Sequence, residues 1–220
     1  KRAVEHFKKM SHRKVRISTA GNKVIGLSGR FHIGLGQKPS SKSIASAIAA
    51  FVERNADKIG FRGPGQLELS EKRFTRLKDG SVVASYYIWK GGVRTLSSDL
   101  VAVISDDGYL TALNGRLHHR GSKKVAQEAS PKAIQKMMKH FHRDESSINI
   151  ENRLVSAEFS GFGVVLFKDF EVERVWDPVT DQPAWLASDF GTEEGKHIVF
   201  SDDLKELRSW EDIQPYETAT

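Results

Sequence analysis

The chain has 220 residues, enough for one large domain or two small ones, with the hydrophobic and charged fractions of an ordinary globular protein. It contains no cysteine, which excludes disulfide bonds, thiol catalysis and cysteine–zinc sites. The net charge is +6, and no apolar run approaches the roughly 20 residues that a membrane-spanning helix needs. Basic residues are concentrated in residues 1–16, whereas both signs interleave from Glu128 onward, so the charge pattern alone does not indicate nucleic-acid binding.

The first forty residues combine a basic segment with a predicted hairpin. Residues 1–10 are basic and predict either a short helix or a disordered arm. Residues 14–18 and 23–27 are rich in β-branched residues and flank Ala-Gly-Asn at residues 20–22, which indicates a β-hairpin.

Residues 41–59 predict the first long helix. Alanines favour helix in this segment, and Gly60 stands where a C-terminal cap glycine would lie. The apolar residues recur at helical spacing and form one face: Ile44, Ile48, Phe51, Val52 and Ile59.

A predicted antiparallel meander occupies residues 66–118. Residues 66–77 alternate between polar and apolar side chains, and a Lys-Asp-Gly turn follows. The sequence SVVASYYIWKGGVRTLSSDLVAVISDDGYLTALNGRL at residues 81–117 then predicts three strands, separated by Gly91-Gly92 and by Asp107-Gly108.

A polar stretch at residues 120–130 predicts a domain boundary, placed between residues 120 and 121. Ser130 and Pro131 are the expected cap and first residue of a second helix, residues 131–143. The rest predicts a second antiparallel sheet and a polar tail, with strands near residues 148–159, 164–176, 184–190, 196–201 and 207–213.

Residue types that support catalysis or metal binding are present without a convincing arrangement. Adjacent histidines on a strand point to opposite faces, and histidines two apart on a helix do not share a face. The acidic pairs fall at turns or helix ends, and the four tryptophans are predicted to pack in sheets. We therefore expect no catalytic, cofactor or metal site; the residues weighed are His118, His119, His140, His142, Asp106, Asp107, Asp144, Glu145, Asp202 and Asp203.

Two sequence segments resemble the propeptide of thermolysin-like and fungalysin-like zinc metallopeptidases. They are AAFVERNADKIGF at residues 49–61 and YYIWKGGVRTLSSDLVAVISDDGYLTALNGRL at residues 86–117. In that family a helix ending near an asparagine precedes a glycine turn, an apolar strand, an Asp-Gly hairpin and a closing Asn-Gly pair, here Asn114-Gly115. The second half, with residues 131–141 and then Pro183-Ala184-Trp185, is similar to the PepSY domain that follows in those propeptides.

The resemblance implies an α+β fold of two cystatin-like halves, each with one helix packed on an antiparallel sheet. Residues 1–120 would form the propeptide-motif domain, with its helix at 41–59 and its meander at 66–118. Residues 121–220 would form a PepSY-like domain, with its helix at 131–143, an antiparallel sheet and a C-terminal tail.

The resemblance also implies a secreted or periplasmic protein that is not an enzyme and binds no cofactor. It would act as intramolecular chaperone and inhibitor of a thermolysin-like metallopeptidase, whose catalytic domain holds the zinc; no nucleic acid or membrane partner is expected. A polar tail can lie in a protease cleft as an extended strand. The expected protease contacts are Tyr216, Glu217, Thr218, Ala219 and Thr220, with the covalent junction at or after Thr220.

Three alternatives remain open on the sequence. The chain could be a free-standing secreted or periplasmic binding or inhibitor module of the same fold. It could be an enzyme with an unfamiliar site built from the carboxylates or histidines above. It could bind nucleic acid through the basic arm at residues 1–16, which would make binding strongly dependent on salt.

Overall fold

In a computed structural model, the chain forms two compact units, Lys1–Ser122 and Lys123–Thr220. The structure describes residues 2–20, 23–59, 65–116, 129–141, 158–159, 165–166, 170–191 and 195–212. The domain boundary predicted between residues 120 and 121 lies outside the described residues, so its exact position stays a prediction.

The predicted fold class of two cystatin-like halves, each with one helix packed on a sheet, is wrong. Strands hold 51% of the described residues and helices 23%, and only four short helices occur among them. The prediction took its plan from the resemblance, with one helix for each half, at residues 41–59 and 131–143. Strands dominate the architecture, but only some of them show period-two burial: β4 alternates, whereas seven of the eight residues of β10 are buried.

The described residues of the first unit form three helices: α1 (Arg2–Met10), α2 (Ser41–Arg54) and α3 (Ala56–Ile59). The single helix predicted at residues 41–59 is therefore divided at Asn55. The Asn55 side-chain amide donates to the Phe51 carbonyl oxygen at 2.8 Å. Such local side-chain bonds compete with regular helix hydrogen bonding and explain the interruption.

Six described strands of the first unit pair in the order β1-β2-β6-β5-β4-β3, and each neighbouring pair is antiparallel. The predicted meander corresponds to its last four strands in sequence. The strands are β1 (Arg16–Ala20), β2 (Lys23–His32), β3 (Leu67–Arg76), β4 (Val82–Lys90), β5 (Val93–Ile104) and β6 (Tyr109–Arg116).

The core of the first unit lies between its helices and one face of the sheet. Alternate residues of β4 are buried, as expected for a strand with one face on a core. The aromatic side chains of Phe7, Phe31 and Phe51 meet at ring-centroid distances of 5.7 to 6.3 Å, which joins α1 and α2 to β2. α1 is thus a packed helix and not a free arm.

The second unit contains one described helix, α4 (Pro131–Phe141), and strands paired antiparallel in sequence order. Ile134, Met137 and Met138 are buried from α4 and contact apolar residues of the sheet. The strands are β7 (Glu158–Phe159), β8 (Val165–Leu166), β9 (Phe170–Asp177), β10 (Gln182–Asp189), β11 (Lys196–Phe200) and β12 (Glu206–Glu211). Among the described residues, no helix has the length and apolar character needed to cross a membrane.

Candidate functional site

The last described strands of the second unit bring three side chains into one row. Ser188 of β10 lies directly opposite His197 of β11, and His197 lies directly opposite Trp210 of β12. Directly opposed residues on neighbouring antiparallel strands point to the same face, so the three side chains are in contact.

His197 is the centre of this row. Its Nδ1 lies 2.8 Å from the Ser188 Oγ, and its Nε2 lies 3.1 Å from a carboxylate oxygen of Asp212. Trp210 stacks on the imidazole at a centroid distance of 5.2 Å and an interplanar angle of 18°, and Phe190 meets it edge-on. Within the described residues, the His197 Nε2 forms no hydrogen bond.

Serine, histidine and aspartate are the residue types of a hydrolytic triad, but their arrangement here is different. In a triad the serine bonds Nε2 and the carboxylate bonds Nδ1, whereas here the two partners are exchanged. Ser188 is also only 5% exposed, and Trp210 covers one face of the imidazole. The row therefore connects β12 to β10 and β11, and its Ser188 Oγ is buried against the imidazole nitrogen that a triad serine does not use.

β12 is an edge strand of the second unit. Among the described strands it pairs with β11 alone. The Asp212 amide donates to the Gly195 carbonyl oxygen at 2.8 Å and continues this pairing. Because hydrogen-bonded pairs alternate along an antiparallel ladder, the backbone groups of Ser209 and Glu211 point away from β11, toward the side on which no described strand pairs with β12.

The side chains of β12 are also accessible. Five of its six residues are exposed and one is half-buried. Leu207 is 36% exposed and Trp210 is 41% exposed, so the edge offers apolar surface beside its backbone groups. An exposed edge with apolar side chains is a typical site for the addition of an extended peptide strand.

A buried ion pair holds the other end of β12. Arg208 donates to a carboxylate oxygen of Asp177 at 2.6 Å, and Asp177 is fully buried at the end of β9. Burial raises the pKa of Asp177, but the hydrogen bonds from Arg208, from the Thr180 hydroxyl and from the Val179 amide outweigh burial and lower the pKa overall. Asp177 thus stays ionised and fixes β12 to the β9–β10 turn.

A second buried cation lies on the face of the sheet that α4 covers. Arg174 is 3% exposed, and its guanidinium lies 4.4 Å from the centroid of the Trp185 ring. One nitrogen pairs with Asp202 at 2.5 Å, while Nε and Nη1 have no hydrogen-bond partner in the part of the chain that the structure describes. This contact joins the turn after β11 to β9.

The structure separates the sequence-predicted site residues. The protease-contact residues lie outside the described residues, as do His118, His119, His142, Asp144 and Glu145. The remaining ones serve local contacts: His140 packs edge-on against Phe200, Asp107 pairs with Arg30, and Asp203 accepts from Ser201. Over the described ranges, no group of three or more histidine, aspartate or glutamate side chains is arranged to hold a metal ion. The predicted protease-contact residues that lie outside the described residues are Tyr216, Glu217, Thr218, Ala219 and Thr220.

Sequence reasoning missed the row of Ser188, His197 and Trp210. The predicted strands at residues 184–190 and 196–201 placed Ser188 and His197 on neighbouring strands, but a hairpin closed symmetrically between those bounds would pair Ser188 with Ile198 and not with His197, its partner in the structure. That pairing needs the register of the hairpin, which the sequence pattern alone did not specify.

No protein-family model matches the sequence, and a search of curated proteins found no match.

Proposed function

We propose that this chain is a non-catalytic, secreted or periplasmic binding protein that acts as the propeptide of a thermolysin-like zinc metallopeptidase, inhibiting the catalytic domain and assisting its folding. The observation that carries the proposal is the edge of β12, which among the described strands pairs with β11 alone and is held by the Arg208–Asp177 ion pair and by the stacking of Trp210 on His197. The sequence resemblance to the propeptides of these peptidases supplies the identity of the partner.

The anchoring of β12 supports a binding role on energetic grounds. An extended segment that adds to a sheet gains main-chain hydrogen bonds, but ordering both strands costs conformational entropy. Here Arg208 and Trp210 already hold β12 in its extended form. A preorganised edge therefore binds more tightly than a free peptide of the same sequence.

The edge also gives the tail a defined starting point. The tail, residues 213–220, begins two residues after Glu211, the last residue of β12. The residue between them, Asp212, donates its amide to the Gly195 carbonyl oxygen. In the proposed complex, β12 pairs with an extended segment of the catalytic domain and residues 216–220 occupy the cleft. The zinc belongs to the partner.

Inhibition is the direct test. The purified chain is titrated into a peptidase assay with the thermolysin-like catalytic domain from the same source, and we expect saturable inhibition. The absence of inhibition with that domain would overturn the proposal and favour a free-standing binding module with another partner. Refolding yield of the denatured catalytic domain, with and without the chain, tests the chaperone role separately.

A proline substitution tests the edge itself. Ser209→Pro removes a backbone N–H that points away from β11, so it keeps the ladder bonds of the unit but blocks strand addition. Ser209→Ala retains the N–H and is the matched control. We expect Ser209→Pro alone to weaken inhibition, with circular dichroism showing a retained fold; Glu211→Pro repeats the test at the second outward N–H. Unchanged inhibition by both folded proline variants would exclude β12 as the contact.

A further inference from the structure

The net charge of the chain originates in one segment. The first sixteen residues hold seven lysines and arginines and one glutamate, an excess equal to the net charge of +6 of the whole chain. The rest of the sequence is therefore balanced between basic and acidic residues. A charge asymmetry of this kind generates a local positive potential even when the whole protein is only moderately basic.

The fold places this segment beside further basic residues of the first unit. The His12 amide donates to the Arg30 carbonyl oxygen at 3.0 Å, and Arg16 lies opposite Ser28 in the pairing of β1 with β2. Residues 12–16 thus run alongside the strand that carries Arg30 and His32. We call these residues the basic stripe: His12, Arg13, Lys14, Arg16, Arg30 and His32.

Side chains alternate in direction along residues 14–17, and this places the charges of the basic stripe outward. Val15 and Ile17 pack against the core, so the intervening Lys14 and Arg16 project to solvent, where both are exposed. Arg13, Lys14 and Arg16 form no ion pair within the described residues. Three neighbouring cations without a neutralising carboxylate repel one another, and a bound anion relieves that repulsion.

Tyr109 organises the other end of the basic stripe. The Arg30 guanidinium lies 4.0 Å from the centroid of the Tyr109 ring, and His12 and His32 meet the ring edge-on at 5.9 and 5.7 Å. Arg30 also pairs with Asp107, so it is the one cation of the stripe that is already neutralised within the described structure. The ring face that Arg30 covers is not available for stacking on a base.

These features indicate which anion fits. Protein interfaces gain most of their affinity from buried aromatic and apolar anchors, whereas binding to a phosphate backbone depends on lysine and arginine charges alone. The exposed cations of the basic stripe follow one edge strand and its preceding residues, so they form a line rather than a broad plane. A line of charges matches a linear polyanion better than a membrane surface.

We propose that the basic stripe binds the phosphate backbone of nucleic acid without sequence preference. This inference goes beyond the proposed function and does not depend on it, and it departs from the expectation that nucleic acid is not a partner. The sequence alone showed the basic segment; the structure adds its packing beside Arg30 and His32.

The test compares two triple variants of the full chain that remove the same charge. Arg13→Gln, Lys14→Gln and Arg16→Gln neutralise the free cations of the basic stripe. Lys132→Gln, Lys136→Gln and Lys139→Gln neutralise three exposed lysines of α4 in the second unit and are the matched control. Binding to a fluorescein-labelled single-stranded oligonucleotide is measured by anisotropy between 50 and 200 mM salt.

If three to four phosphates are contacted, the affinity of the unmodified chain falls by about 20- to 50-fold over this range, since log K falls with a slope of about −0.7 per contact for single strands. We expect the stripe variant to lose at least about tenfold in affinity at 50 mM salt and to lower the slope by about 2. The control variant should remain within about twofold of the unmodified chain, because its charges do not lie on the stripe.

Four results would overturn the proposal. They are absence of binding at 50 mM salt, equal loss in both triple variants, tighter binding to heparin than to the oligonucleotide, and tighter binding to anionic phospholipid vesicles. Circular dichroism of both variants shows whether they are folded; should the stripe variant unfold, the single variants Lys14→Gln and Arg16→Gln replace it, each with a single α4 lysine variant as control.

Discussion

The two units bury different kinds of side chain. The first unit has a large apolar core in which α2 and β4 supply much of the buried surface, and its buried polar residues are Asn55, Lys90, Thr95 and Ser98. The second unit has a smaller apolar cluster but buries Arg174, Asp177, Ser188, Asp189 and His197. The difference indicates that the first unit is stabilised mainly by apolar packing, while the second uses buried polar contacts to position an edge strand.

The largest expected effect tests the apolar half of this comparison. Phe51 is fully buried and meets the rings of Phe7 and Phe31, so Phe51→Ala removes a large side chain where three elements converge. We expect a loss of about 3–5 kcal/mol in the free energy of unfolding of the first unit. Urea unfolding followed by hydrogen exchange of α2 and β4 measures it, and a loss below about 1 kcal/mol would contradict a packing-dominated core.

The next effect tests the polar half. Asp177→Asn keeps the shape of the side chain and an Oδ1 that accepts from the Val179 amide, but removes the charge that pairs with Arg208. We expect a loss of about 1.5–3 kcal/mol in the unfolding free energy of the second unit, since charged hydrogen bonds contribute about this much. Tryptophan fluorescence in urea measures it. Asp181→Asn, the same change in an exposed turn residue, is the control and should have little effect.

Acid provides an independent test of the same pair. The pKa of Asp177 is lowered in the folded protein, so its contribution is fully present above the ordinary aspartate pKa of about 3.9 and is lost as the pH falls from there toward the folded pKa. The stability difference between the unmodified chain and Asp177→Asn should therefore shrink below about pH 4. A difference that stayed constant down to pH 2.5 would show that the charge of Asp177 does not stabilise the unit.

Much of the first unit followed from local sequence signals. The helix of residues 41–54 was marked by its apolar period, and the β5–β6 hairpin by Asp107-Gly108. The closing Asn114-Gly115 pair has a physical basis in the sheet, since a Cβ on Gly115 would lie 2.2 Å from the Asp99 carbonyl oxygen of β5. Close approach of two backbones requires glycine at that position.

The rest depended on contacts between distant parts of the sequence. Phe7 of α1 is buried in the core, a contact that the basic composition of α1 does not predict. β2 pairs with β6, although most of the sequence of the first unit lies between the two strands. The row of Ser188, His197 and Trp210 in the second unit needs the register of two hairpins, and register is set by the hydrophobic pattern together with the geometry of the turns. Local patterns thus predict individual helices and strands, whereas the fold class depends on how many helices and strands there are and on which of them pair or pack together.

A smaller effect concerns the ring stack on β12. Trp210→Ala removes a partly exposed indole that covers His197. We expect a loss of about 1–2 kcal/mol in the unfolding free energy of the second unit, combining the stacking contribution with the buried part of the ring area. Hydrogen exchange should show faster exchange in β12 than in β10. Equal acceleration in both strands would mean that the indole supports the whole sheet rather than its edge.

The smallest effect compares one matched contact in each unit. The Ser40 Oγ accepts from the Ser43 amide at the start of α2, and the Ser130 Oγ accepts from the Ala133 amide at the start of α4, both at 3.2 Å. Each is an exposed helix cap that lies outside the buried contacts of its unit, so Ser40→Ala and Ser130→Ala should each cost about 0.5–1 kcal/mol. Thermal unfolding measured for both variants checks this equality. A much larger cost at Ser130 would mean that the polar interactions of the second unit extend to its surface, and that the contrast between the units is not confined to what they bury.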